Sequence, residues 1–65
     1  MEREEVIAFF KKIYPEKDIT CFASKINDTY WLIDASFPDG EFYFIASKNS
    51  LSSSFNTKED ALKSV

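Results

Sequence analysis

The chain's best material for acid–base chemistry is a set of carboxylates near predicted turns. Asp34 can be paired with Glu41 or with Asp28, and two carboxyl groups held close together can act as general acid and base. Nothing in the spacing forces either pair together, so all three read first as surface carboxylates. Asn27, Asp28 and Asp39 do not match the ligand spacing of a calcium loop. Histidine is absent, which removes Ser-His-Asp and Cys-His arrangements and any His ligation of zinc. The single cysteine, Cys21, leaves no thiolate cluster and no CxxC pair within one chain. Placed in an apolar run, it reads as a small buried hydrophobe. A single glycine, Gly40, is too few for a phosphate-cradling loop. This inventory points away from an enzyme, a metal centre and a bound cofactor.

What remains is a surplus of apolar surface. The 65 residues include eleven aromatics, and at roughly 150–250 Å² each these supply most of the area available for a core. One domain, spanning 1–65, is expected at this length, near the lower limit for an independent core. The formal charge of −3 gives no overall electrostatic footprint for nucleic acid. Apolar runs such as Tyr30–Ile33 fall far short of the ~20 residues of a membrane span. With no signal-like start and no possible internal disulfide, a reducing, cytoplasmic setting is expected.

The elements that must position these side chains follow from periodicity. Glu2–Tyr14 reads as an amphipathic helix, with Val6, Ile7, Phe10, Ile13 and Tyr14 on one stripe widened by Phe9. Glu2, Glu4 and Glu5 open it and Lys11 and Lys12 close it, complementing the helix dipole, and Pro15 ends it. Ile19–Ile26 then reads as a strand, Asn27-Asp28 as a short turn, and Thr29–Phe37 as the strongest strand. Pro38-Asp39-Gly40 predicts a three-residue loop, with glycine where positive φ is needed. Glu41–Ser47 follows as a strand, Lys48-Asn49-Ser50 as a turn, and Leu51–Phe55 as a short serine-rich edge strand or a loop. Asn56 or Thr57 caps a short final helix whose inner edge is Ala61, Leu62 and Val65. The class is α+β: an N-terminal helix, an antiparallel meander of three to four strands and a short C-terminal helix.

Strand alternation sorts the aromatics onto two faces. A two-residue turn at Asn27-Asp28 pairs Ile26 with Thr29. One face then carries Phe22, Ile26, Trp31, Ile33, Ala35 and Phe37, and the other Ile19, Cys21, Ala23, Tyr30, Leu32 and Asp34. The three-residue loop after Phe37 sets Tyr43 and Ile45 with Trp31, leaving Phe42 and Phe44 opposite; a one-residue slip exchanges them. Either way both faces are apolar, unlike the polar-out alternation of a half-exposed sheet. With the helices on opposite faces all of this is core. With both on one face, the other presents Tyr30, Leu32, Asp34, Phe42 and Phe44 as an interaction surface, for a protein partner or for a second copy of the chain. Asp34 in mid-strand favours exposure of its face, because an unpaired buried carboxylate is costly.

The order helix, strands, helix at this length is similar to a double-stranded-RNA-binding domain, which implies phosphate contact through a basic cluster at the start of the last helix. The corresponding stretch, Thr57-Lys58-Glu59-Asp60-Ala61-Leu62-Lys63, mixes lysines with acids and departs from that pattern where RNA contact depends on it. The part from Trp31 through Leu62 resembles the sheet-plus-helix of integrase arm-type and AP2-like DNA-binding domains. Their strand-to-helix junction often reads Phe-x-Thr-x-Glu-x-Ala, which Phe55–Ala61 fits; capping chemistry alone yields the same string. On these resemblances Lys25, Lys48, Lys58 and Lys63 are the candidate phosphate contacts. The expected function is a non-enzymatic protein-interaction module, such as a small inhibitor, immunity-type or accessory protein, with a nucleic-acid-binding domain as the alternative.

Overall fold

The computed structural model describes residues 2–65 and has the expected α+β layout. Helix α1 (Arg3–Ile13) is followed by strands β1 (Thr20–Lys25), β2 (Trp31–Phe37), β3 (Gly40–Ser47) and β4 (Ser50–Leu51), then helix α2 (Lys58–Lys63). The strands form one antiparallel sheet in the order β1-β2-β3-β4. Among the described residues no helix is long and apolar enough to cross a membrane.

α1 starts where Glu2 donates its N–H to the Glu5 carboxylate at 2.8 Å, the return half of a capping box. It ends where the Tyr14 N–H reaches Phe10 O at 2.9 Å, just ahead of Pro15. Val6 and Phe10 are fully buried against Ile19, Ala23, Trp31, Ile33, Ala35, Phe44 and Ala46. At roughly 1.5–3 kcal/mol per large apolar side chain, this layer carries most of the stabilisation. Phe10 is its centre, meeting Phe44 at 5.0 Å between ring centroids and Tyr14 at 5.0 Å.

Both predicted hairpin loops are off by one residue, in opposite directions. The first contains three residues, because Ile26 closes against Tyr30 rather than Thr29: Tyr30 O accepts from the N–H of Ile26 at 3.0 Å and from that of Asn27 at 3.3 Å. The Asn27 carboxamide oxygen accepts from the N–H groups of Thr29 and Tyr30, both at 2.8 Å, and this side-chain acceptor holds the longer loop. Phe22 therefore pairs with Asp34 and Ser24 with Leu32. The second loop contains only Pro38 and Asp39: Gly40 pairs with Phe37 at a φ of +148°, a conformation other residues rarely adopt. Phe42 and Phe44, not Tyr43 and Ile45, thus share a face with Trp31 and Ile33.

The anticipated fourth strand is reduced to two residues and a bridge. Ser52 donates its N–H to Ile45 O at 2.9 Å, and its hydroxyl accepts from Ile45 N–H at 2.8 Å. A side chain thereby replaces a ladder carbonyl, and the chain swings out through Ser53 and Ser54 before Phe55 pairs with Tyr43. Thr57 then caps α2, its Oγ1 accepting from Asp60 N–H at 3.1 Å. The inner edge of this six-residue helix is narrower than predicted. Ala61 is fully buried, whereas Leu62 and Val65 are 37% and 46% exposed.

The two helices lie on opposite faces of the sheet. α1 belongs to the cluster of Ala23, Ile33 and Phe44, and α2 to a smaller one of Leu32, Ile45 and Ala61, flanked by Ile26, Tyr30, Tyr43 and Phe55.

Candidate functional site

The register sets the sheet in rows across three strands. On the α2 face these are Ser24–Leu32–Ile45, Phe22–Asp34–Tyr43 and Thr20–Ser36–Glu41. Six residues of helix cover the first row, and Leu32 and Ile45 are buried there. The other two rows run past the helix into solvent. Phe22 is 60% exposed, the most exposed large hydrophobic among the described residues. Asp34 and Tyr43 beside it are half-buried, and Thr20, Ser36 and Glu41 are exposed.

Asp34 and Glu41 sit on adjacent strands, one row apart on the same face, and their carboxyl groups interact. The Glu41 carboxyl is held above the ordinary glutamate range, first by a hydrogen bond shared with Asp34, then by the charge of that carboxylate and by partial loss of hydration. The Tyr43 phenol is pushed up as well, by loss of hydration and then by the charges of Glu41 and Asp34. Asp34 thus lies between two aromatic side chains in its row, with Glu41 one row away, and the two carboxyls together favour a shared proton or a cationic group. Among the described residues no three Cys, Asp or Glu side chains converge as metal ligands would.

Arg3 completes this edge from the far side of the sheet. Its Nε donates to Ala23 O at 3.1 Å, and its guanidinium lies 5.8 Å from the centre of the Phe22 ring. One side chain thus occupies a backbone acceptor of the edge strand β1 and places a cation at the exposed ring.

The five residues expected to form one partner surface do not form one. Leu32 is 6% exposed beneath α2, and Tyr30 packs half-buried against the same cluster. Asp34 belongs to the open rows. Phe42 and Phe44 lie on the opposite face, Phe44 1% exposed in the main core and Phe42 half-buried at its margin. The two loop lengths place Phe22 and Tyr43 in the row of Asp34 rather than on the face of Trp31. The one available signal for Arg3 was a basic residue in an otherwise acidic first turn, an arrangement the helix dipole disfavours. Cys21 is half-buried on the α1 face, and burial raises its thiol pKa against the opposing effect of Lys11, consistent with a packing role.

On the α1 side two cavities open between α1 and β3. One, of about 460 Å³, lies by the β3–β4 turn over Val6, Phe9 and Ala46, with Glu5 and Lys48 among its lining. The other, of about 210 Å³, lies at the opposite end among Tyr14, Phe37, Phe42 and Phe44. No known protein family, curated protein or solved structure matches this chain.

Proposed function

We propose that this chain is a non-enzymatic protein-interaction module, and that it binds a basic, partly apolar segment of a partner protein through the open rows of the α2 face. The observation that carries this reading is Phe22, 60% exposed beside the interacting carboxyls of Asp34 and Glu41. An exposed aromatic next to desolvatable polar groups is the kind of anchor that dominates interface energetics. Apolar parts of the segment would rest on Phe22 and Tyr43, and a lysine or arginine would meet the carboxylate pair. The same carboxylates oppose two other occupants. A nucleic-acid backbone would bring phosphates toward them, and a second copy docked face to face would set four carboxyl groups together.

A titration of isotope-labelled protein with a short lysine–leucine peptide, and with its glutamate–leucine counterpart, tests the reading. The basic peptide is expected to shift Phe22, Asp34, Glu41 and Tyr43 in NMR spectra, more weakly as salt rises. Asp34→Asn combined with Glu41→Gln should remove most of that response while the fold persists. Equal responses to the two peptides, or shifts centred elsewhere, would overturn it.

A further inference from the structure

The smaller cavity, of about 210 Å³, lies on the face opposite to the proposed partner site, between the end of α1 and the β2–β3 hairpin. Its walls are the rings of Tyr14, Phe37, Phe42 and Phe44, and Asp39 is its one charged residue. Phe37 stands at 89° to Tyr14 and at 80° to Phe42, with ring centroids 5.6 Å apart in both pairs. These pairs pack edge to face, and any ring face left open to the cavity presents the negative part of its quadrupole there. Phe44 is 1% exposed and closes the bottom, whereas Tyr14, Phe37 and Phe42 are only half-buried. Asp39 is exposed in the two-residue hairpin loop, whose position is fixed by the Phe37–Gly40 pair.

Aromatic faces with one carboxylate and no lysine or arginine favour a cation with an apolar surface. A metal ion would find no set of oxygen ligands there. A primary ammonium would exchange a strong hydration shell for rings. A quaternary ammonium has neither requirement, and its recognition by aromatic walls is a general use of the cation–π interaction. We propose that this cavity binds a small, free quaternary ammonium ion of the choline type, its methyl groups against Tyr14, Phe37 and Phe42 and its charge balanced by Asp39. A free ion fits better than a methylated side chain on a peptide. The β3 edge beside the cavity is already taken by Phe55, which exchanges both backbone hydrogen bonds with Tyr43, at 2.7 and 2.9 Å. That leaves no room there for a peptide backbone to add as a strand.

The test is an NMR titration, read on the aromatic side chains, with choline and with 3,3-dimethylbutan-1-ol, in which carbon replaces the charged nitrogen. Choline is expected to give saturable shifts at Tyr14, Phe37 and Phe42 and to bind roughly three- to tenfold more tightly than the alcohol. Asp39→Asn, in an exposed loop, should weaken choline by roughly two- to fivefold and leave the alcohol unaffected. Phe42→Leu should abolish the preference, with amide dispersion reporting that the fold persists. Equal affinity for the alcohol, or no saturable shift with choline, overturns the proposal. So does a trimethyllysine peptide that binds more than tenfold more tightly than choline.

Discussion

Glu41 shows how a single residue can carry a pH signature that its exposure would hide. Its carboxyl is raised in the folded chain by the hydrogen bond and charge of Asp34. Between the ordinary and the raised value, the folded state therefore binds more proton than the unfolded chain. The stability attached to that proton is fully present below the ordinary glutamate pKa, about 4.3, and is lost as pH rises through the raised folded value. Glu41→Gln should remove this part of the dependence. In urea unfolding across acid to neutral pH, the variant should gain on wild type as pH rises and be the more stable at neutrality. Parallel curves would mean that the two carboxyls do not interact. Gly40 makes an independent statement about backbone. At a φ of +148°, alanine would be strained even though its Cβ would meet only the Phe42 ring, at 3.8 Å. Gly40→Ala should cost roughly 1–3 kcal/mol, read as a lower urea midpoint with an unchanged slope.

Element by element, the two helices differ in what they hold. Phe10 joins α1 to the main cluster, and Phe10→Ala should cost roughly 3–5 kcal/mol. A chain of this size has about 3–10 kcal/mol in total, so that variant should lose roughly a third or more of its stability, read as a much lower urea midpoint. Thr57 holds only α2. Thr57→Ala should cost about 0.5–2 kcal/mol and speed hydrogen exchange at the Ala61 amide of α2, while the Phe10 amide of α1 stays protected. Which elements exist was legible in the sequence, because each has a local cause: the stripe from Val6 to Tyr14, the alternation from Trp31 to Phe37, the Thr57 cap. Which side chains share a face was not, because it depends on loop length to the single residue. Asn27 lengthened one loop by accepting two backbone N–H groups, and Gly40 shortened the other by joining β3. Those two choices moved Phe22 into the open beside Asp34 and took Phe42 and Phe44 to the other side. Ser52 is a further case, since nothing in a serine run announces that one hydroxyl will stand in for a ladder carbonyl.

For the whole molecule, the question is how a sheet with apolar side chains on both faces and an unpaired edge avoids its own copies. α1 covers one face, α2 covers a single row of the other, and the rows α2 leaves open carry the acidic side chains of Asp34 and Glu41. The edge at β1 depends on Arg3, which occupies Ala23 O at 3.1 Å and lies against the Phe22 ring. Removing that side chain frees a backbone acceptor on an edge strand and uncovers the most exposed ring of the chain in one step. Arg3→Ala should therefore raise self-association, seen as a sedimentation coefficient that climbs with concentration more steeply than that of wild type. If the new contact runs along β1, Ala23→Pro in the same background should reverse it, because proline removes the edge N–H of that strand without adding charge. If it runs through the ring instead, Phe22→Ser should reverse it and the proline should not. An Arg3→Ala protein that sediments like wild type at every concentration would remove Arg3 from any role in edge protection, and would leave the negative charge of Asp34 and Glu41 as the remaining barrier on that side of the sheet.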